Sequence, residues 1–95
     1  MRIGLVVNPV AGGNRGASIG AEVLALLSAS EHLVTNLSGA NLLEAKERIQ
    51  VAIDSKSVDA LVFVGGDGMV HLGTNLCANK DLPMAIVPAG TGNDV

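Results

Sequence analysis

The chain has 95 residues, 48% of them apolar and 16% charged, with a formal net charge of −3. This length suits one small α/β domain and excludes two lobes, the apolar content excludes intrinsic disorder, and no apolar run approaches the ~20 residues of a membrane span. A single aromatic residue, Phe63, and the acidic balance exclude both the stacking platforms and the phosphate-backbone footprint of a nucleic-acid binder.

In chain order, Arg2 to Val7 is a short apolar run closed by Asn8-Pro9, the pattern of a buried parallel strand. A loop rich in Gly and Asn follows. Ile19, Val23, Leu26 and Leu27 then recur at helical spacing, and that helix is expected to end near Ser28. Glu31 to Leu37 carries a weaker β pattern closed by Ser38-Gly39. Asn41, with Glu44 three residues on, reads as a helix start with a reciprocal cap; Leu42, Ala45, Ile49 and Ile53 form its apolar stripe, and Glu44 can pair with Arg48. Asp59 to Val64 is the clearest strand, and Gly65-Gly-Asp-Gly68 breaks it before a helix expected from Met69 to about Ala78. Pro83 to Val87 is a fourth strand, and the chain ends in Pro88-Ala-Gly-Thr-Gly-Asn-Asp94 and Val95. The alternation predicts right-handed βαβ units in a three-layer α/β/α domain with a mainly parallel sheet, spanning residues 1–95 as one unit.

In such a sheet all strand C-termini lie on one edge, and the loops leaving them share a crevice. Twelve glycines are roughly twice the average usage of about 7%. Nine of them are predicted in those loops: Gly12, Gly13, Gly16, Gly39, Gly65, Gly66, Gly68, Gly90 and Gly92. Glycine lets a ligand approach the backbone, and successive amides with a helix N-terminus suit an anion, so the pattern reads as a phosphate-binding crevice. Ordinary tight turns are the other reading, and the better one for Gly39. Asn8, Thr35, Asp67, Thr91, Asn93 and Asp94 are expected at the same edge. A P-loop is absent, because no lysine lies between Lys56 and Lys80. A dinucleotide fingerprint is absent too: His71 stands where Gly66-Asp-Gly68 would need its third glycine, and no acid follows the second strand. The protein-kinase loop lacks its lysine partner.

Three motifs in order, Asn8-Pro-x-Ala-Gly-Gly13, Gly65-Gly-Asp-Gly68 after an apolar strand, and Pro88-x-Gly-Thr-Gly-Asn-Asp94, resemble the diacylglycerol kinase catalytic domain family, in its bacterial lipid kinase branch. Gly-Gly-Asp-Gly also occurs in NAD kinases and 6-phosphofructokinases; the opening and closing motifs separate the lipid kinases from both. The resemblance implies a nucleotide lobe like that of NAD kinase and transfer of the γ-phosphate of ATP, with Mg²⁺, to the hydroxyl of diacylglycerol or a related lipid. An NAD kinase-like or sphingosine kinase-like phosphotransferase, or a nucleotide-binding remnant without turnover, is the alternative. The resemblance assigns Asp67 as the catalytic acid and implies ATP contacts at Asn8, Gly12, Gly13, Thr35, Gly65, Gly66, Asp67, Gly68, Met69, Val70, His71, Gly90 and Thr91; it names no metal ligand. A carboxylate among amides makes sense there, because phosphoryl transfer is driven by positioning and charge neutralisation.

Two positions depart from the family: Met69 stands where most members have Thr or Ser, and Leu72 where they have Glu. Asp67 also reads as a turn Asp before Gly, Asn8 as an Asn-Pro turn, and His71 as a helix-surface residue. Cys77 reads as an inert thiol that can form no internal disulfide, and His32 has no metal partner at a suitable spacing. The strand pattern at the N-terminus carries no signal peptide, so a cytoplasmic location is expected, with peripheral membrane contact through family parts that this chain lacks. Relatives continue past this point into more sheet and a second domain. The resemblance therefore implies an N-terminal, truncated portion, inactive alone and able to dimerise through an open sheet edge.

Overall fold

The computed structural model describes residues 1–8, 11–39, 41–77 and 81–89, with the side chains of the first helix from residue 15 onward. Strands and helices alternate throughout: β1 (Arg2–Val7), α1 (Ala11–Ala29), β2 (Leu33–Asn36), α2 (Leu42–Asp54), β3 (Ala60–Gly65), α3 (Asp67–Cys77) and β4 (Met84–Pro88). Every strand pair is parallel, in the order β2-β1-β3-β4. The chain steps outward from β1 to β2, then recrosses β1 to lay down β3 and β4 on its other side. The winding direction therefore reverses between β1 and β3, the kind of switch point at which open α/β sheets take ligands.

Alternation along the strands sorts the core onto two faces. On one, Val6, Leu61 and Phe63 meet Ala45, Ile49 and Ala52 of α2 and Met69, Leu72 and Leu76 of α3; Phe63 and Ile49 are its largest fully buried side chains. On the other, Leu5 and Val64, flanked by Val7 and Val62, meet Ile19 and Val23 of α1. Helices on both faces give the expected three-layer α/β/α architecture. Among the described residues no helix is long and apolar enough to cross a membrane.

Helix α2 starts where its cap predicts: Asn41 Oδ1 accepts the Glu44 amide at 2.9 Å, and Glu44 pairs with Arg48 at 3.0 Å. Its buried residues are Ala45, Ile49 and Ala52, while Leu42, expected in the stripe, is 56% exposed. The helix packs on β1 and α3 rather than on edge strand β2, so its first turn has no sheet beneath it. Leu26 of α1 is likewise exposed, at 68%. Gly16, Gly20 and Leu27 take the sheet-facing side instead, and Leu26 lies about 100° around the helix from Leu27.

Two expected loops are helical. Helix α1 begins at Ala11, so Gly12, Gly13 and Gly16 lie within it, and α3 begins at Asp67, so Gly68 is in its first turn. Close packing outweighs the low helix propensity of glycine in α1. A Cβ on Gly20 would lie 2.8 Å from both γ-carbons of Val7, so the glycine lets the helix settle onto β1.

Candidate functional site

At the switch point, Val7 pairs with Val64, and the Asn8 amide donates to the Val64 carbonyl at 2.9 Å. Gly65, the last residue of β3, is buried; a Cβ there would lie 2.5 Å from Met69 Cγ and 3.4 Å from Asn8 Cβ. Its lack of a side chain allows α3 to fold back and Asn8 to sit against the end of β3. The Gly66 carbonyl accepts the amides of Met69 at 3.0 Å and Val70 at 3.2 Å, closing the first turn of α3. Asp67 and Gly68, the first two helical residues, have no carbonyl one turn behind them within the helix, and the positive end of the helix dipole lies at their amides.

A Cβ added to Gly66 or to Gly68 would meet nothing within 4 Å. Neither residue has a positive φ; Gly39, at 69°, is the one described glycine that does. Packing and backbone conformation therefore leave these two glycines unexplained within the described residues. What their lack of side chains provides is bare backbone beside a helix N-terminus, where a tetrahedral anion can reach the amides. Asp67 is exposed in that first turn and has no ion-pair partner among the described residues. His71, also exposed, follows at i+4 on the same helix face.

Asn8, Gly65, Gly66, Asp67, Gly68 and His71 thus converge on one edge, and Gly12 and Gly13 lie in the first turn of α1, which leaves that edge from β1. Met69 does not join them: its side chain is 5% exposed in the core, and its amide is held by Gly66. The amide of Val70 is likewise engaged, leaving only a partly exposed side chain. Leu72, where the family carries Glu, is also a core residue. Thr35 pairs with Gly4, which pairs with Leu61, so it is level with a point four residues before Gly65, roughly 13 Å back along the sheet. It lies on edge strand β2, with β1 between it and β3. Gly90, Thr91, Asn93 and Asp94 lie outside the described residues. The chain leading to them is anchored at this edge, because the buried Ala89 donates its amide to the Gly65 carbonyl at 3.1 Å.

No group of three or more His, Cys, Asp or Glu that could hold a metal ion occurs among the described residues. The donor set here, one exposed carboxylate beside helix-end amides, suits Mg²⁺ arriving on a nucleotide rather than a metal caged by protein. Cys77 is half-buried, and burial pushes its thiol pKa up, which fits an inert role.

The sequence reading missed Ser38. Its Oγ accepts the Val7 amide at 2.9 Å, and its own amide donates to Asn36 Oδ1, also at 2.9 Å. The run Asn36-Leu-Ser-Gly39 is turn chemistry that the reading used only to close a strand. Next to it, Leu5, Val7, Ala17, Gly20, Ala21, Leu24, Asn36, Ser38 and Gly39 line a groove of about 310 Å³ between α1 and the end of β2.

The family model for the diacylglycerol kinase catalytic domain matches residues 2–95. Two curated proteins named diacylglycerol kinase, from the CDC 1551 / Oshkosh and the ATCC 25618 / H37Rv strains of Mycobacterium tuberculosis, are each 30% identical over 93 residues. The match covers 98% of this chain and 30% of each relative.

Proposed function

The chain belongs to the diacylglycerol kinase catalytic domain family, and on that premise we propose that it is the nucleotide-binding part of an ATP-dependent lipid kinase that phosphorylates the hydroxyl of diacylglycerol or a related lipid. The observation that carries this reading is the bare backbone of Gly66 and Gly68 beside an exposed Asp67, without an ion pair among the described residues, at the N-terminus of α3. The amides of Asp67 and Gly68 receive phosphate oxygens of ATP, Asn8 bounds the site from the β1 side, and Gly12 and Gly13 offer backbone from α1. His71 lies one turn further along, within reach of a bound phosphate chain. Gly90 and Thr91, which the family places at the nucleotide, complete the proposal.

In the reaction the lipid oxygen attacks the γ-phosphorus, the bond from that phosphorus to the β,γ-bridging oxygen breaks, and ADP leaves. Asp67 accepts the hydroxyl proton or holds the nucleotide's Mg²⁺ through water; one carboxylate can serve either purpose. Mg²⁺, when bound with ATP, neutralises phosphate charge. Met69 and Leu72 contribute packing beneath the loop, and Thr35 is left out because its register sets it away from the edge. The proposed setting is the cytoplasm, with the acceptor met at a membrane surface.

Two measurements test the proposal. ATP titrated into the chain with Mg²⁺ is expected to perturb the amide resonances of Gly66, Asp67 and Gly68; unchanged resonances at millimolar ATP would refute nucleotide binding here. In a form of the protein that turns over, ATP consumption is expected with diacylglycerol in mixed micelles and not with NAD, and the reverse preference would favour an NAD kinase.

A further inference from the structure

We propose that Ser38 is a positioning residue: its hydroxyl oxygen fixes the β1 end of the crevice, so that Asn8 stands in register with the Gly65–Gly68 turn. The inference rests on the nucleotide-site reading for its functional consequence and on the hydrogen bonds at this edge for its geometry.

Strands β1 and β2 pair from Arg2↔Leu33 to Leu5↔Asn36, and Leu37 donates its amide to the Leu5 carbonyl at 2.8 Å. There β2 ends, but β1 continues for two residues. The next amide of β1 on that side belongs to Val7, and the oxygen that meets it is Ser38 Oγ at 2.9 Å. A side chain thus carries the pairing one step beyond the strand. One residue later the Asn8 amide points the opposite way and donates to the Val64 carbonyl at 2.9 Å. Consecutive peptide groups of β1 are therefore clamped from both flanks, one by Ser38 and one by β3.

Ser38 is itself braced. Its amide is held by Asn36 Oδ1, and Gly39 follows with φ at 69°, its backbone so close to α2 that a Cβ would lie 2.9 Å from the Ala45 nitrogen. Asn8 Cβ lies 3.4 Å from where a Cβ on Gly65 would stand, so a shift of Asn8 bears directly on the turn opening α3. Removing the Ser38 hydroxyl leaves a partly buried Val7 amide without its acceptor, and the route to another partner is a displacement of the Val7–Asn8 segment.

The test uses the 95-residue chain labelled with nitrogen-15, as wild type, Ser38→Ala, Ser38→Thr and a control, Val58→Ala, which truncates a buried residue near the other end of the sheet. Ser38→Ala is expected to displace the Asn8 and Gly65 amide resonances and weaken Mg-ATP binding roughly fivefold, the effect of about one net hydrogen bond. Ser38→Thr, which retains an accepting hydroxyl, is expected to restore both. Val58→Ala is expected to lower the melting temperature at least as much as Ser38→Ala while leaving ATP affinity unchanged. Wild-type affinity and unmoved resonances in Ser38→Ala would overturn the proposal, as would an equal loss of affinity in Val58→Ala. If the wild type binds no ATP, the nucleotide reading fails on its own. The positioning role is then decided by the Asn8 and Gly65 resonances: moved in Ser38→Ala and restored in Ser38→Thr supports it, and unmoved refutes it. Should Ser38→Ala not fold, Ser38→Cys, similar in shape but a poor acceptor, carries the same comparison.

Discussion

The two ends of the four-stranded sheet are built on opposite plans. At the N-terminal end, charge and backbone are paired off. Arg2 grips Asp59 through Nη2 at 3.1 Å and Nε at 3.3 Å, its amide adds a bond of 2.7 Å to the same carboxylate, and Asp59 returns its own amide to the Arg2 carbonyl at 2.7 Å. At the C-terminal end, Asp67 is exposed with no ion pair among the described residues, and Gly66 and Gly68 face open space. The turns invert expectation as well. Glu31 and Lys56, which lead into strands at the N-terminal end, hold positive φ values of 66° and 55° without being glycine, whereas Gly66 and Gly68 sit where no positive φ calls for one. Backbone conformation accounts for Gly39, at φ 69°, but not for Gly66 or Gly68. Bare backbone at Gly66 and Gly68 fits the proposed approach of a ligand.

The largest effect expected from this contrast is at Asp67. Asp67→Asn should cut phosphoryl transfer by about 100-fold or more in a form of the protein that turns over, the scale of losing a proton acceptor or metal partner. Stability should fall by no more than about 1 kcal/mol, since the carboxylate contributes only its interaction with the helix end. Steady-state kinetics with a denaturation curve reads both, and retained turnover would take Asp67 out of the chemistry. A paired substitution sharpens the contrast. Gly66→Ala should weaken ATP binding roughly tenfold with little change in stability, because the new methyl enters the space proposed for phosphate. Gly4→Ala should do the opposite. Its Cβ would lie 2.6 Å from Leu37 Cδ1 and 2.7 Å from Cδ2 of the fully buried Leu61. Overpacking of this kind costs about 1–3 kcal/mol, and ATP affinity per folded molecule should not change. Calorimetry of both variants would show the crossing, and parallel effects would erase the distinction between the ends.

The closed end carries a pH signature. The hydrogen bond from Arg2 lowers the Asp59 pKa below its ordinary value of 3.8. A carboxylate whose folded pKa is depressed stabilises the fold fully above the unfolded value and loses that contribution as pH falls through the folded one. The window here lies in acid, below pH 3.8. Asp59→Asn should therefore reduce stability at neutral pH and flatten its fall on acidification, leaving ATP affinity at neutral pH untouched. Because the pair is exposed, the change is expected to be modest and to shrink with added salt.

Much of this arrangement was legible in the sequence, for reasons that differ by element. Strand β1 matches its expected span, and β3 and β4 are each displaced by one residue, because continuous apolar runs bounded by turn residues mark parallel strands. The α2 cap was readable because Asn41 and Glu44 interact locally. Leu42 was misplaced because its surroundings depend on strand order, which spacing does not encode, and Leu26 because it neighbours Leu27 in sequence yet lies about 100° around the helix from it. Met69 could not be told from its neighbours at the site until the helix was found to begin at Asp67, which turns its side chain into the core. Ser38 escaped because the amide it serves is 31 residues away in the chain.

Lys56 follows the α2 cap residue Ser55 at φ 55°, and its amide donates to the Ile53 carbonyl at 3.1 Å. A side chain in that region carries a steric cost of roughly 1–2 kcal/mol, partly offset because glycine loses more backbone freedom on folding. Lys56→Gly should therefore stabilise the chain by up to about 1 kcal/mol, readable in urea unfolding, with ATP binding unchanged. Gly66→Ala, at a position with no positive φ, should show no reciprocal loss. If Gly66→Ala proves as destabilising as Lys56→Gly is stabilising, Gly66 answers to conformation after all, and the case for a phosphate at this turn loses its main support.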